Sequence, residues 1–375
     1  MTMKYKGGSI MLFVLMLGMT ALPNARAIER PQVTRTQINE VVTKVMQEKH
    51  IPGLSIAVSM PGGKVIEESY GLANVEYKQP VEKDSRFEIG SISKTFTAIG
   101  VMMLQEEGKL SVNDRITKYF PQYPGWNEIT LKHLLQHTSG IKDVTDVEPF
   151  KSNQGKEWTP QEVVAGIARE PLDFEPGQKA RYSNAGCIIL GLVIEKVTGI
   201  SYGDFLAAKI AKPLGMAHTS LGSNSALIPK RVSGYTYTYA GGLMNAEYAS
   251  LTLPYASGAI LSTPSDLIKL AKVFRGEALL KEKSIREMFA PARLNNGTRY
   301  ESSDPGLKMT FGYGLDSIIL REGIIPAKTG GISGFNSFFA YFPGSQTMVA
   351  LTANLNNSLQ DLLIIVDALF GSAKK

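Results

Sequence analysis

The feature that most constrains this 375-residue chain is that its two ends mirror each other. Residues 35–49 place Ile38, Val41, Val42, Val45 and Met46 at i, i+3, i+4 and i+7 spacings, which predicts an amphipathic helix. Two β-rich runs follow, Leu54–Ser59 and Val65–Tyr70, joined by Pro61-Gly62-Gly63, a hairpin signal. Near the other end, Asn336–Phe342 and Thr347–Thr352 flank Pro343-Gly344-Ser345, and an apolar helix follows at roughly Leu359–Phe370. Helix–hairpin and hairpin–helix at opposite ends predict an α+β fold (an α/β sandwich). One antiparallel sheet is built from both termini and flanked by helices, with the middle of the chain inserted. On this reading residues 28–90 and about 291–375 make an α/β subdomain, and about 91–290 a mainly helical one. The cleft between the two is the natural place for a site.

Within the middle, Thr263-Pro264-Ser265-Asp266 predicts a helix start, with a cap, a proline at the first position and an acid in the first turn. Gly108 predicts the end of a helix that begins near Ser91. Residues 142–160 and 233–257 read as loops.

The first 27 residues have a basic start (Lys4, Lys6), an apolar run from Ile10 to Leu22, and Ala25-Arg26-Ala27. That pattern predicts a cleavable secretory signal, a secreted or periplasmic protein and no stable membrane span after cleavage. Its removal takes away three basic and no acidic residues, so the formal charge falls from +6 to +3. No dense Lys/Arg run exists to bind nucleic acid, and a monomer is expected. The single cysteine, Cys187, sits in an apolar run as a buried structural thiol and cannot form an internal disulfide. His133 and His137 are spaced i,i+4 without the glutamate a zinc protease needs, so no metal and no cofactor is expected.

Three stretches carry chemistry. Ser91-Ile92-Ser93-Lys94 opens a long apolar helix, and on a helix residues i and i+3 share a face, so the amine of Lys94 reaches the hydroxyl of Ser91. A partly desolvated amine near other cations loses its proton and acts as a base. Ser-x-x-Lys recurs at Ser139/Lys142 and Ser372/Lys375, but neither of those heads an apolar helix. In Arg181-Tyr182-Ser183-Asn184, a phenol beside two ammonium groups is expected to have a lowered pKa and to relay a proton. Asn184 offers an amide to orient either a substrate carbonyl or Lys94. Lys328-Thr329-Gly330-Gly331, at the end of a short strand Ile324–Ala327, pairs a cation and a hydroxyl suited to a carboxylate with glycines that let a backbone N–H approach.

In this order the three stretches resemble the Ser-x-x-Lys, x-x-Asn and Lys-Thr-Gly set of the serine β-lactamase and penicillin-binding superfamily. With tyrosine in the middle motif the chain is most similar to class C β-lactamases and the related D-alanyl-D-alanine carboxypeptidases and esterases. Leu134–Ile141, Phe174-Glu175-Pro176-Gly177 and Gly330–Phe335 fit the same resemblance, which runs from about Ile51 to Asn354. It implies a β-lactamase/transpeptidase-like fold and an acyl-enzyme on Ser91. Lys94 and Tyr182 would share the base role, and the backbone N–H groups of Ser91 and Gly331 would form the oxyanion hole. It also implies that Lys328 and Thr329 bind a substrate carboxylate, that Asn184 binds a side-chain amide, and that Tyr182 activates the deacylating water. Glu170 precedes Tyr182 and so stands in the wrong order to be a class A base.

The expected substrate is therefore a β-lactam or, alternatively, a D-Ala-D-Ala-type peptide. A carboxylesterase or amidase, and a sensor that stays acylated, are the other readings. Class C enzymes carry a glutamine soon after the loop equivalent to His137–Gly140. Here Lys142 to Ser152 contains none, and Gln154 is the first.

Overall fold

The computed structural model describes residues 33–302, 308–320 and 323–371. The leader read at residues 1–27 and the Ser372/Lys375 pair lie outside them. Helix α1 (Arg35–Lys49) starts on a capping box, in which Thr34 and Gln37 each satisfy the other's backbone N–H. Strands β1 (Gly53–Ser59), β2 (Val65–Asn74) and β3 (Gln79–Pro80) follow. From the far end come β7 (Ala327–Ile332), β8 (Phe335–Phe342) and β9 (Thr347–Ala353), and then the terminal helix (Leu359–Phe370).

These strands form one sheet in the order β7-β8-β9-β1-β2-β3, every neighbour antiparallel. The β1–β9 pair, with Ile56 opposite Leu351, joins the two ends of the chain at the centre of the sheet. Both faces are covered, so β9 is buried at all seven positions. Period-two alternation divides each strand between two cores. Leu54, Ile56, Val58, Phe338, Ala340, Val349 and Leu351 pack with Ile38, Val42, Leu362 and Ile365 of the two terminal helices. Ala57, Phe339, Tyr341, Met348 and Ala350 instead face the core of the central helices.

Two helices dominate that second core, α2 (Ser93–Glu106) and α3 (Ala185–Thr198). Both are buried nearly all round, Cys187 included, because the sheet and the smaller helices enclose them. Gly108, with φ +70, follows the end of α2, and Thr263 caps the helix at Pro264–Leu267 through the backbone N–H of Asp266. The stretch 233–257 is more structured than a loop, since Tyr235–Tyr237 and Leu243–Asn245 pair as a small hairpin.

A second sheet does the most to place the site. Strands β4 (Met309–Gly312), β5 (Leu315–Leu320) and β6 (Gly323–Ile325) form an antiparallel meander in the order β6-β5-β4. The β4–β5 turn docks on the first turn of α2. Gly314 has φ +65, a Cβ there would lie 2.5 Å from the carbonyl oxygen of Lys94, and Thr95 Oγ1 donates to the Gly314 carbonyl at 2.7 Å. Only glycine fits that position.

Candidate active site

Ser91 lies in a 3₁₀ turn, Gly90–Ile92, that runs directly into α2. Gly90 has φ +49, and a Cβ on it would lie 2.8 Å from the backbone nitrogen of Gly331. The glycine thus lets β7 approach the Ser91 turn and sets the Gly331 backbone beside Ser91. Ser337 Oγ donates to the Ile89 carbonyl at 2.8 Å and ties β8 to the same turn.

The first two motifs converge. Lys94 Nζ lies 2.9 Å from Ser91 Oγ, 2.7 Å from Asn184 Oδ1 and 2.8 Å from the Ser257 carbonyl oxygen. Tyr182 donates its phenolic proton to Ser91 Oγ at 2.6 Å. Neither Ser91 nor Asn184, which stands at the N-cap of α3, gives its side chain to capping the helix that follows it. Asn184 is turned to Lys94 on one side and to Asp143 on the other, where its backbone N–H and its Nδ2 both donate to the carboxylate. Lys94 is fully buried. Burial, and secondly the charge of Lys328, bring its pKa down from 10.5 to about 7.

The pKa of Tyr182 moves opposite to the sequence expectation. Burial first, and the carboxylate of Asp316 second, hold it well above 10, against the expected lowering by two ammonium groups. The phenol therefore keeps its proton at neutral pH, whereas Lys94 titrates near it. His137 buttresses the ring, its own ring 4.6 Å from Tyr182 and 4.8 Å from Phe311. Burial and the two lysines drive its pKa down to about 3, so it is a neutral imidazole whose Nδ1 accepts from the Ser183 backbone N–H.

The third motif also differs from expectation. Lys328 lies inside β7, opposite Phe339, and is fully buried. Its Nζ is 2.7 Å from each carboxylate oxygen of Asp316, and Thr329 Oγ1 donates to Asp316 Oδ2 at 3.0 Å. The cation and hydroxyl expected to hold a substrate carboxylate are both engaged by a carboxylate of the chain itself. Burial pushes the Asp316 pKa up, but the charge and hydrogen bonds of Lys328 outweigh it and hold it below the ordinary range. Glu170, set aside on sequence order, pairs with Lys142.

Asp316, Asp143 and the Ser257 carbonyl escaped the sequence reading, and His137 entered it only as a rejected metal ligand and within the stretch Leu134–Ile141. Asp316 had one legible signal, an acid inside the apolar strand run Leu315–Leu320. All these groups border or support a cavity of about 360 Å³ lined by Ser91, Tyr182, Tyr300, Ser302, Met309, Phe311, Asp316, Thr329 and Gly331. Among the described residues no group of His, Cys, Asp and Glu has the arrangement to hold a metal ion.

A family model described as Beta-lactamase matches residues 38–369. Penicillin-binding protein 4* of Bacillus subtilis (strain 168) is 30% identical over 331 residues, covering 84% of this chain and 70% of that protein. Among solved structures, D-amino acid amidase from Ochrobactrum anthropi SV3 superposes with a TM-score of 0.78 at 26% identity, covering 89% of this chain and 97% of that one. A penicillin-binding protein from Bacillus halodurans gives a TM-score of 0.78 at 26% identity, covering 88% and 99%.

Proposed function

The chain belongs to the Beta-lactamase family of serine hydrolases, and from that premise we propose that it cleaves a small amide or ester through an acyl-enzyme on Ser91. The observation that carries the reading is the position of Ser91 Oγ, 2.9 Å from Lys94 Nζ and 2.6 Å from the Tyr182 hydroxyl, on the wall of the cavity. With a pKa of about 7, Lys94 is substantially deprotonated at neutral pH. The neutral amine donates to Asn184 and Ser257 and turns its lone pair to the Ser91 hydroxyl. Ser91 Oγ attacks the substrate carbonyl as its proton passes to Lys94. The oxyanion develops beside the backbone N–H groups of Ser91 and Gly331, where one well-placed donor is worth roughly 10²–10³ in rate. Tyr182, protonated and within reach of Ser91 Oγ, hands a proton to the leaving group and regains one from Lys94. Water then releases the acyl group by the reverse sequence.

The names of the three similar proteins span penicillin binding and amide hydrolysis, and attack on an amide carbonyl is common to both chemistries. Export through the leader at residues 1–27 is part of the same proposal. Intact mass after exposure to a fluorophosphonate and to an aryl thioester tests the nucleophile. One adduct on wild type and none on Ser91→Ala is expected, and an adduct that persists in the variant overturns the assignment.

A further inference from the structure

We propose that Asp316 is a built-in occupant of the anion position at Lys328-Thr329, so that the site selects acyl donors with no carboxylate beside the scissile bond. The inference rests on the acyl-hydrolase reading and deepens it. A cation and a hydroxyl side by side on a strand next to a nucleophilic serine form a carboxylate receptor, and here the receptor is filled. Asp316 takes both oxygens to Lys328 Nζ at 2.7 Å and accepts from Thr329 Oγ1 at 3.0 Å, the contacts an incoming carboxylate would make. Lys328 is fully buried, whereas Asp316 and Thr329 line the cavity, so a substrate meets the carboxylate and not the ammonium.

The β4–β5 turn, seated on α2 at Gly314 two residues before Asp316, fixes the strand that carries it. Its cross-strand partner Phe311 stacks on Tyr300 at 4.9 Å, so the wall that continues from Asp316 is aromatic. None of the described residues lining the cavity is a Lys or Arg that could replace Lys328 as the anion partner. A substrate carboxylate at this end would face a like charge with its counterion already taken. Neutral esters and primary amides, with apolar groups against the Tyr300–Phe311 wall, suit the cavity.

The test uses two thioesters that share one acyl group, one leaving as thioglycolate and the other as its methyl ester. The rate of Ser91 acylation is read by intact mass and by thiol release. Wild type is expected to prefer the methyl ester at least tenfold. Asp316→Ala, which vacates the position, is expected to raise the carboxylate-to-ester ratio at least tenfold. Asp316→Asn, which removes the charge but keeps the volume, is expected to raise it less. Asp316→Asn also serves as the reporter should the alanine variant not fold. A wild-type preference for the carboxylate, or a ratio unmoved in either variant while Ser91 is still acylated, overturns the role of Asp316 alone. Failure of both thioesters to acylate wild-type Ser91 overturns the acyl-hydrolase reading with it.

Discussion

Two fully buried lysines sit over the ring of Tyr182 at nearly the same distance, 4.9 Å for Lys94 and 4.8 Å for Lys328. Their surroundings differ in one respect. Lys94 meets only uncharged acceptors, namely Ser91 Oγ, Asn184 Oδ1 and the Ser257 carbonyl. Asp143, the acid on that side, reaches it only through Asn184. Lys328 meets both oxygens of a carboxylate. Burial without a counterion turns an amine into a base that titrates near neutrality, whereas burial with one makes a fixed ion pair. One fold, by placing a carboxylate in contact with Lys328 and none in contact with Lys94, gives the same side chain two surroundings.

That contrast breaks most visibly at Lys94. Replacement by Met should cut Ser91 acylation by roughly 10³–10⁴-fold, read by the rate of adduct formation, and should leave the fold as stable as before. Stability is even expected to rise at pH 6. The unfolded amine holds its proton up to about pH 10.5 and the folded one only to about 7. Stability therefore climbs between those values, and the cost of burying the amine is fully present below pH 7. A urea melt of Lys94→Met at pH 6 that shows a large loss would remove the distinction between the two lysines.

Lys328→Met should behave in the opposite way. It strands the Asp316 carboxylate without its ion-pair partner, and breaking a buried pair costs about 3–5 kcal/mol. The same urea melts should show the loss, and Lys328→Met with Asp316→Leu should recover most of it. Tyr182→Phe keeps the ring under both amines but removes the proton donor, so acylation should fall roughly 10²-fold. The loss should be smaller for a thiophenol leaving group than for an amine, as measured on a matched thioester and amide.

The smallest expected effect is on the pH profile. Acylation by wild type should rise through pH about 7 and then stay level toward pH 10, because Lys94 titrates near 7 and Tyr182 holds its proton well above 10. In Lys328→Met the acid limb should move to higher pH, since the Lys328 charge is one of the forces lowering Lys94. A limb that stays in place would assign the titration to another group.

Much of this molecule was legible in one dimension. The paired helix–hairpin ends appear as α1-β1-β2 and β8-β9 with the terminal helix, within one residue of the expected limits except that β2 runs four residues past Tyr70, to Asn74. Period-two and period-3.6 patterns report local geometry that tertiary contacts only reinforce. Ser91 and Lys94 lie on one stretch of helix, so their meeting needed no long-range information. Tyr182 and Asn184 were recognisable only because the order of the three motifs matched a known family.

The third motif marks where that legibility stopped. Lys328-Thr329 invited a carboxylate, and nothing in the local sequence told whether the substrate or the chain would supply it. Asp316 lies 12 residues earlier, in another sheet, and reaches Lys328 because Gly314 lets the β4–β5 turn seat on α2. The same long-range placement inverted the expected shift of Tyr182, by adding a carboxylate and burial to two neighbouring amines. The sequence by itself determined the elements and the meeting of Ser91 with Lys94, because those follow from spacing along one chain segment. Only the tertiary structure decided which lysine meets uncharged acceptors, which forms an ion pair and where the charge in the cavity lies. Those properties depend on burial and on charges brought together from distant segments, and neither is written at any single position.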